Sequence, residues 1–447
     1  MFPGDKRLSR DRLSRMPSSD ISTTPTLLRA VGTRSLAASL FNVIVGAGIF
    51  VLPATVAGLV GAAAPVAYLT CAVAILLVTL CFAVAGSRVP EAGGSYAYIG
   101  AAFGPLAGFL GGVMVLLSDV LATASVATAF AAGVGAYAPW AGTPTGRFVV
   151  LAAVLSGLAA LNRRGVTYGA RFVEAITVAK LAPLVLFILA GLALRWHDVP
   201  APAWPAADAL GRATLILMFA FSGAETAMGL SGEVVHPSRT IPRALLIALG
   251  LVTCLYGAVQ LVAAASLGPL LVTSTAAPLA DAAGAFWGPS FRTLMLAATL
   301  ISMFGYLSAV ALATPRTLFA IGGGGVLPEA LGRVHPRYRS PHVAIGVHFV
   351  LVLVIAVSGS FQGLVPAASV AVLVLYLTVC LAAWQLARTG TRDDGEPFTV
   401  PAVVPFLGAA VCLWLLAHAS WLELGTEGAV LAVAVAVFAI RRGLAPR

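Results

Sequence analysis

Between residues 35 and 441 the chain is a succession of about twelve apolar segments, most of them long enough to cross a bilayer as helices. They run approximately over 35–61, 66–88, 105–134, 147–162, 168–194, 209–234, 242–267, 290–320, 342–358, 363–387, 401–418 and 424–441. The sequence is 60% hydrophobic and 10% charged, with a mean hydropathy of +0.97. A soluble chain of 447 residues could not hide that much apolar surface. In hydrocarbon every backbone polar group needs an internal partner, so an all-α integral membrane fold is expected. The stretch before about Thr33 is polar and arginine-rich, lacks a small-residue cleavage site, and reads as a disordered tail ahead of an uncleaved first helix.

The net charge of +10 raises the possibility of a nucleic-acid partner, and its distribution argues against one. With the N-terminus placed inside, twenty-two of the 27 basic residues fall in the tails and inside loops. Only Arg147, Arg195, Arg212 and Arg292 fall outside, and Lys180 lies within a span. That bias is the positive-inside pattern, and an even number of spans then puts both termini in the cytoplasm of a cell-membrane protein. The five cysteines all lie in apolar segments with no CxxC pair, so neither a disulfide framework nor a metal centre is indicated. No cofactor is expected.

Two apolar segments carry an interruption. In the first, Gly46 and Gly48 flank Ala47 at mid-span. Each glycine costs about 1 kcal/mol against alanine in a helix interior, so the pair invites a break. The N–H groups freed at the start of a second half-helix would converge on one spot and favour an anion, here the carboxylate of a small zwitterion. Glycines also simply let membrane helices pack closely, which is the competing explanation. The sixth segment is interrupted by Ser222-Gly223-Ala224-Glu225 after Phe219-Ala220-Phe221. Breaks in spans 1 and 6 are the spacing of two inverted five-span repeats that meet at a midplane site. The corresponding divisions are a tail at 1–33, repeats at 34–195 and 205–387, and two further spans with a short cytoplasmic end at 400–447. Pro90 to Tyr98 reads as an interfacial connection, the proline-rich 195–208 stretch as an irregular loop, 278–287 as a short amphipathic segment and Gly322 to Gly325 as a flexible turn.

Four pieces of sequence, in order and spacing, resemble the amino acid–polyamine–organocation transporters over spans 1 to 10. They are Gly46-Ala47-Gly48-Ile49-Phe50 followed by Leu52-Pro53-Ala54; Pro90-x-x-Gly93-Gly94-x-Tyr96-x-Tyr98; Phe221-x-Gly223-x-Glu225; and Arg316 with Gly325-x-Leu327-Pro328, His335-Pro336 and Ser340-Pro341. The resemblance implies the leucine-transporter fold, with about 12 transmembrane helices and discontinuous helices 1 and 6, and a secondary transporter of an amino acid or related amine. It places the substrate carboxylate on the N–H groups of Ala47 and Gly48, and the ammonium against carbonyls of Ile44, Phe219 and Ser222. Phe219 becomes an aromatic lid. The face of span 3 bearing Asp119, with Thr123 one turn on, is turned to the substrate side chain.

Lys180 stands alone in span 5, too far from Arg171 and Arg195 to share their interfaces. An ionisable residue inside a membrane is a functional candidate, and a buried lysine, unlike arginine, can release its proton. By resemblance it occupies the place where sodium-coupled relatives hold sodium, with Ser302 or Ser308 of span 8 as partner. It either couples protons to transport or ties three helices together as a strut. Glu225 either relays protons or braces the second break. Asp119 either meets a cationic substrate group or a coupling proton, or makes a helix-packing hydrogen bond. Glu174, His348 and His418 read as interface or packing residues. No HExxH, GxSxG or His–Asp–Cys cluster points to an enzyme, and no repeated pore ring to a channel. The functions left are a proton-coupled or exchanging permease and a substrate-sensing receptor on the same fold. Its partners would be the substrate, protons and the lipid bilayer.

Overall fold

The computed structural model describes residues 31–89, 94–163, 169–195, 198, 204–227, 234–323, 327–338, 340–389 and 397–444. The tail before residue 31, Pro90 to Gly93, much of the 195–208 connection and Gly324-Gly325 fall outside them. The described residues are helical throughout, apart from turns and one isolated bridge between Val31 and Val234.

The first apolar segment is two helices, α1 (Thr33–Ile44) and α2 (Gly48–Val60), and α3 (Ala64–Gly86) follows after a 3-10 turn. Then come α4 (Ser95–Phe103), α5 (Pro105–Tyr137), α6 (Pro144–Arg163) and α7 (Gly169–Arg195). The sixth segment is again divided, into α8 (Ala207–Phe221) and the short α9 (Ala224–Ala227). The remainder is α10 (Pro237–Leu267), α11 (Pro278–Trp287), α12 (Pro289–Gly323), α13 (His342–Ser358), α14 (Phe361–Thr389), α15 (Val403–Leu416) and α16 (Trp421–Leu444). These helices fall on the apolar segments read from the sequence, and α11 coincides with the expected short amphipathic stretch. Among the described residues, seven stretches are long and apolar enough to cross a membrane: 48–86, 105–137, 144–163, 237–273, 289–319, 361–389 and 421–441. Residues 179–194, 342–358 and 403–416 are shorter apolar helices. The chain is a multi-pass helical membrane protein.

The divided segments sit at the centre. α2 lies along α8 while α1 meets α9 and α10, so the two segments run antiparallel with their breaks side by side. A Cβ placed on Gly48 would lie 2.8 Å from the Ala220 Cβ and 2.9 Å from its Cα, and this is why a glycine stands where α2 crosses α8. α5 and α14 pack against each other, α5 also packs on α12, and α14 reaches α8, which closes a wall around the breaks. Hydrogen bonds from arginine and serine tie the ends of the bundle. At one end Arg88 donates to Phe398 O (2.7 Å) and Ser340 to Arg163 O (2.9 Å). At the other, Arg147 donates to Ala356 O (2.9 Å), and Arg212 pairs bidentately with Glu423 (2.7 and 2.8 Å). Among the described residues the buried charged side chains are Arg88, Asp119, Lys180, Glu225 and Glu427.

Candidate functional site

The first break spans Val45, Gly46 and Ala47. Its carbonyls are taken up by donors from three other helices. The Lys180 ammonium, 2% exposed on α7, donates to Asn42 O (2.8 Å) and Val45 O (2.6 Å). The Ser302 hydroxyl on α12 donates to Gly46 O at 3.2 Å. Tyr256 on α10 places its hydroxyl 2.9 Å from Ile44 O and 3.0 Å from Ala220 O, bridging the two divided segments. Ile44 O also accepts from Gly46 N–H (2.8 Å). The N–H groups at the start of α2 are treated differently. Among the described residues, those of Ala47 and Gly48 have no internal acceptor, and both residues line a cavity at the breaks. Gly46 lies under the ring of Tyr306, whose Cδ2 would be 3.0 Å from any Cβ there.

The second break consists of Ser222 and Gly223. Gly223 has φ +118°, a left-handed conformation that only glycine adopts without strain. Its N–H donates to both oxygens of Glu225 at 3.0 Å, and the Tyr376 hydroxyl on α14 donates to Glu225 Oε2 at 2.6 Å. A carboxylate at the start of a helical turn, accepting a freed backbone N–H, is a cap. The Ser222 hydroxyl turns back to Phe219 O (3.0 Å).

The cavity between the breaks is small. The volume open to the centre of a water molecule is about 30 Å³. Ile44, Gly46, Ala47, Gly48, Phe219, Ser222, Gly223 and Glu225 line one side, and Asp119, Tyr306 and residues of α14 close the other. The Phe219 ring stands edge-on to Phe361, with centroids 5.9 Å apart. Asp119, 5% exposed, accepts at Oδ2 from the Thr314 hydroxyl of α12 (2.9 Å).

Of the residues read from the sequence, the structure brings all but two to this cavity. Thr123 donates to Asp119 O within its own helix (2.6 Å) and faces a separate small cavity with His348 and Pro315. Lys180 sits behind the first break and holds its carbonyls. Of the two serines proposed for span 8, Ser302 reaches the break, whereas Ser308 bonds to Phe304 O in its own helix. Tyr256, Tyr306, Thr314 and Tyr376 were not anticipated. Each is a polar side chain on a largely apolar helix, and no sequence spacing marks it.

Residues 31–440 match the family described as Amino acid permease. The chain is similar to an uncharacterized transporter of Mycobacterium tuberculosis (strain ATCC 25618 / H37Rv), 31% identical over 408 residues that cover 89% of this chain and 88% of the relative. It is also similar to the methylthioribose transporter of Bacillus subtilis (strain 168), 26% identical over 91% of this chain and 93% of that one. The serine/threonine exchanger of the same organism is 26% identical over 85% and 88%. The chain belongs to the amino acid permease family, within the amino acid–polyamine–organocation superfamily.

Proposed function

We propose that this amino acid permease is a secondary active transporter that carries a small amino acid or related amine across the cytoplasmic membrane, by proton coupling or exchange. In this reading it has twelve spans, the leucine-transporter fold with inverted repeats over 34–195 and 205–387, and both termini in the cytoplasm. The observation that supports the reading is that the N–H groups of Ala47 and Gly48 have no internal acceptor among the described residues, and that both residues line a cavity beside the end of α8. Half-helix N-termini attract a carboxylate, and C-terminal ends attract an ammonium. In this reading the ammonium goes to the carbonyls of Ile44, Phe219 and Ser222. The names of the relatives, a serine/threonine exchanger and a methylthioribose transporter, support transport of a small polar solute.

Lys180 is the coupling residue in this reading. Charged, it holds the Asn42 and Val45 carbonyls; uncharged, it holds them less tightly, and α1 can rearrange against α2. Its ammonium takes the place of a bound cation, so sodium is dispensable. Glu225 braces the second break. The test is uptake and counterflow in proteoliposomes with a panel of labelled amino acids and amines, with and without a pH gradient, in sodium-free buffer. Counterflow of at least one amino acid or amine is expected. Its absence across the panel would overturn the reading.

A further inference from the structure

A second cavity lies apart from the breaks, between α5, α6, α12 and α13. Its volume open to the centre of a water molecule is about 20 Å³, enough for one water. Most of its lining is aliphatic or aromatic, and a wholly apolar cavity would stay dry. Three of the lining residues make this one different.

His348 on α13 is 4% exposed, and among the described residues its Nδ1 has no hydrogen-bond partner. A buried ring nitrogen is costly to leave in that condition. Pro315 interrupts the hydrogen-bond ladder of α12. It has no N–H to return to the carbonyl of Ala311, four residues earlier, and both residues line the cavity. The Thr123 hydroxyl on α5 has given its proton to Asp119 O (2.6 Å), so towards the cavity it can only accept.

We propose that this cavity is a binding site for one internal water molecule. The water donates its two protons to Thr123 Oγ1 and Ala311 O and accepts from His348 Nδ1. Three hydrogen bonds are the usual number for a buried water. Two acceptors then use both of the water's protons, so the imidazole is held with its own proton on Nδ1. The water joins α5, α12 and α13 beside Pro315. The preceding residue, Thr314, is the one whose hydroxyl meets Asp119 in the central cavity (2.9 Å). His348 therefore supports that wall from behind, whatever the central cavity binds.

The test is a cryo-electron microscopy map of the full chain in lipid nanodiscs, at a resolution that shows ordered waters. One peak is expected within hydrogen-bond distance of His348 Nδ1 and Thr123 Oγ1, and a cavity without density in such a map would overturn the proposal. Nitrogen-15 NMR of histidine-labelled protein, with the His348 signals identified by their loss in His348→Leu, should show Nδ1 as a protonated nitrogen. A proton on Nε2 alone would overturn it. His348→Leu should lower the thermal midpoint by about 1–2 °C, because the water loses its donor. A dry cavity gives the opposite sign, since leucine would remove an unpartnered nitrogen. The loss caused by Thr123→Val should be smaller in the His348→Leu background than in the parent, because both side chains act through the same water. Strictly additive losses would overturn the bridge.

Discussion

The two breaks solve the same problem from opposite sides. Interrupting a helix in a membrane strands acceptors on the first half and donors on the second, and neither can turn to water. At the first break the acceptors are satisfied, by the Lys180 ammonium, the Ser302 hydroxyl and the Tyr256 hydroxyl, and the Ala47 and Gly48 donors are left facing the cavity. At the second break the Gly223 donor is satisfied by Glu225, and Phe219, Ser222 and Gly223 line the cavity. A cation guards one break and an anion the other. Between them remain one set of donors and one of acceptors, the pattern a zwitterion requires.

Four substitutions can break or sharpen that contrast. The largest effect is expected from Gly48→Leu. Its side chain would run into Ala220, cost about 3 kcal/mol of stability through overpacking and cover the open N–H groups. Thermal denaturation and substrate binding of the purified variant should both fall, and binding with unchanged affinity would remove the carboxylate from this break. Lys180→Ala leaves the Asn42 and Val45 carbonyls without a charged donor, a loss of about 2–3 kcal/mol. Accumulation driven by a pH gradient should disappear while exchange persists. Full accumulation by the variant, or a sodium requirement in the parent, would make Lys180 a strut.

Glu225→Gln tests the other guard. The amide retains one acceptor for Gly223 N–H, so substrate affinity should fall about tenfold or less while the pH profile of uptake keeps its shape. A flattened profile would move the coupling from the first break to the second. The smallest effect belongs to Tyr256→Phe, which removes one hydroxyl shared between Ile44 O and Ala220 O. A rise of a few fold in half-saturating concentration, about 1 kcal/mol, is expected. A change above a hundredfold would mean that the breaks depend on each other rather than on their separate guards.

Much of this arrangement is legible in the sequence because it rests on rare residues in apolar surroundings. Gly46 and Gly48 mark the first break, Gly223 the second, and Lys180 and Glu225 stand out as charges in hydrocarbon. The glycines at the first break also show why competing explanations need not exclude each other: Gly48 serves close packing on Ala220 and leaves its N–H open to the cavity. The tyrosines were not legible. Tyr256, Tyr306 and Tyr376 converge from three helices, α10, α12 and α14, and what selects them is their depth and rotation in the bundle, which hydropathy does not encode. The direction of the Thr123 hydroxyl was hidden for a related reason. Being one turn from Asp119 places it near the cavity, yet its hydroxyl is drawn to the carbonyl of its own helix.

The contact between Gly48 and Ala220 also says where motion can occur. Two helices that meet backbone to backbone have no flexible side chains between them to absorb sliding, so α2 and α8 form one stiff beam through the middle of the protein. The joints of that beam are the residues just outside it, Val45 to Ala47 at one end and Ser222-Gly223 at the other. Any swing that opens the cavity must then be made by α1 or by α9, the halves attached through those joints. An opening motion at one joint carries the Asn42 and Val45 carbonyls away from Lys180 on α7, and at the other it carries Glu225 itself, so one guard is left behind and the other travels.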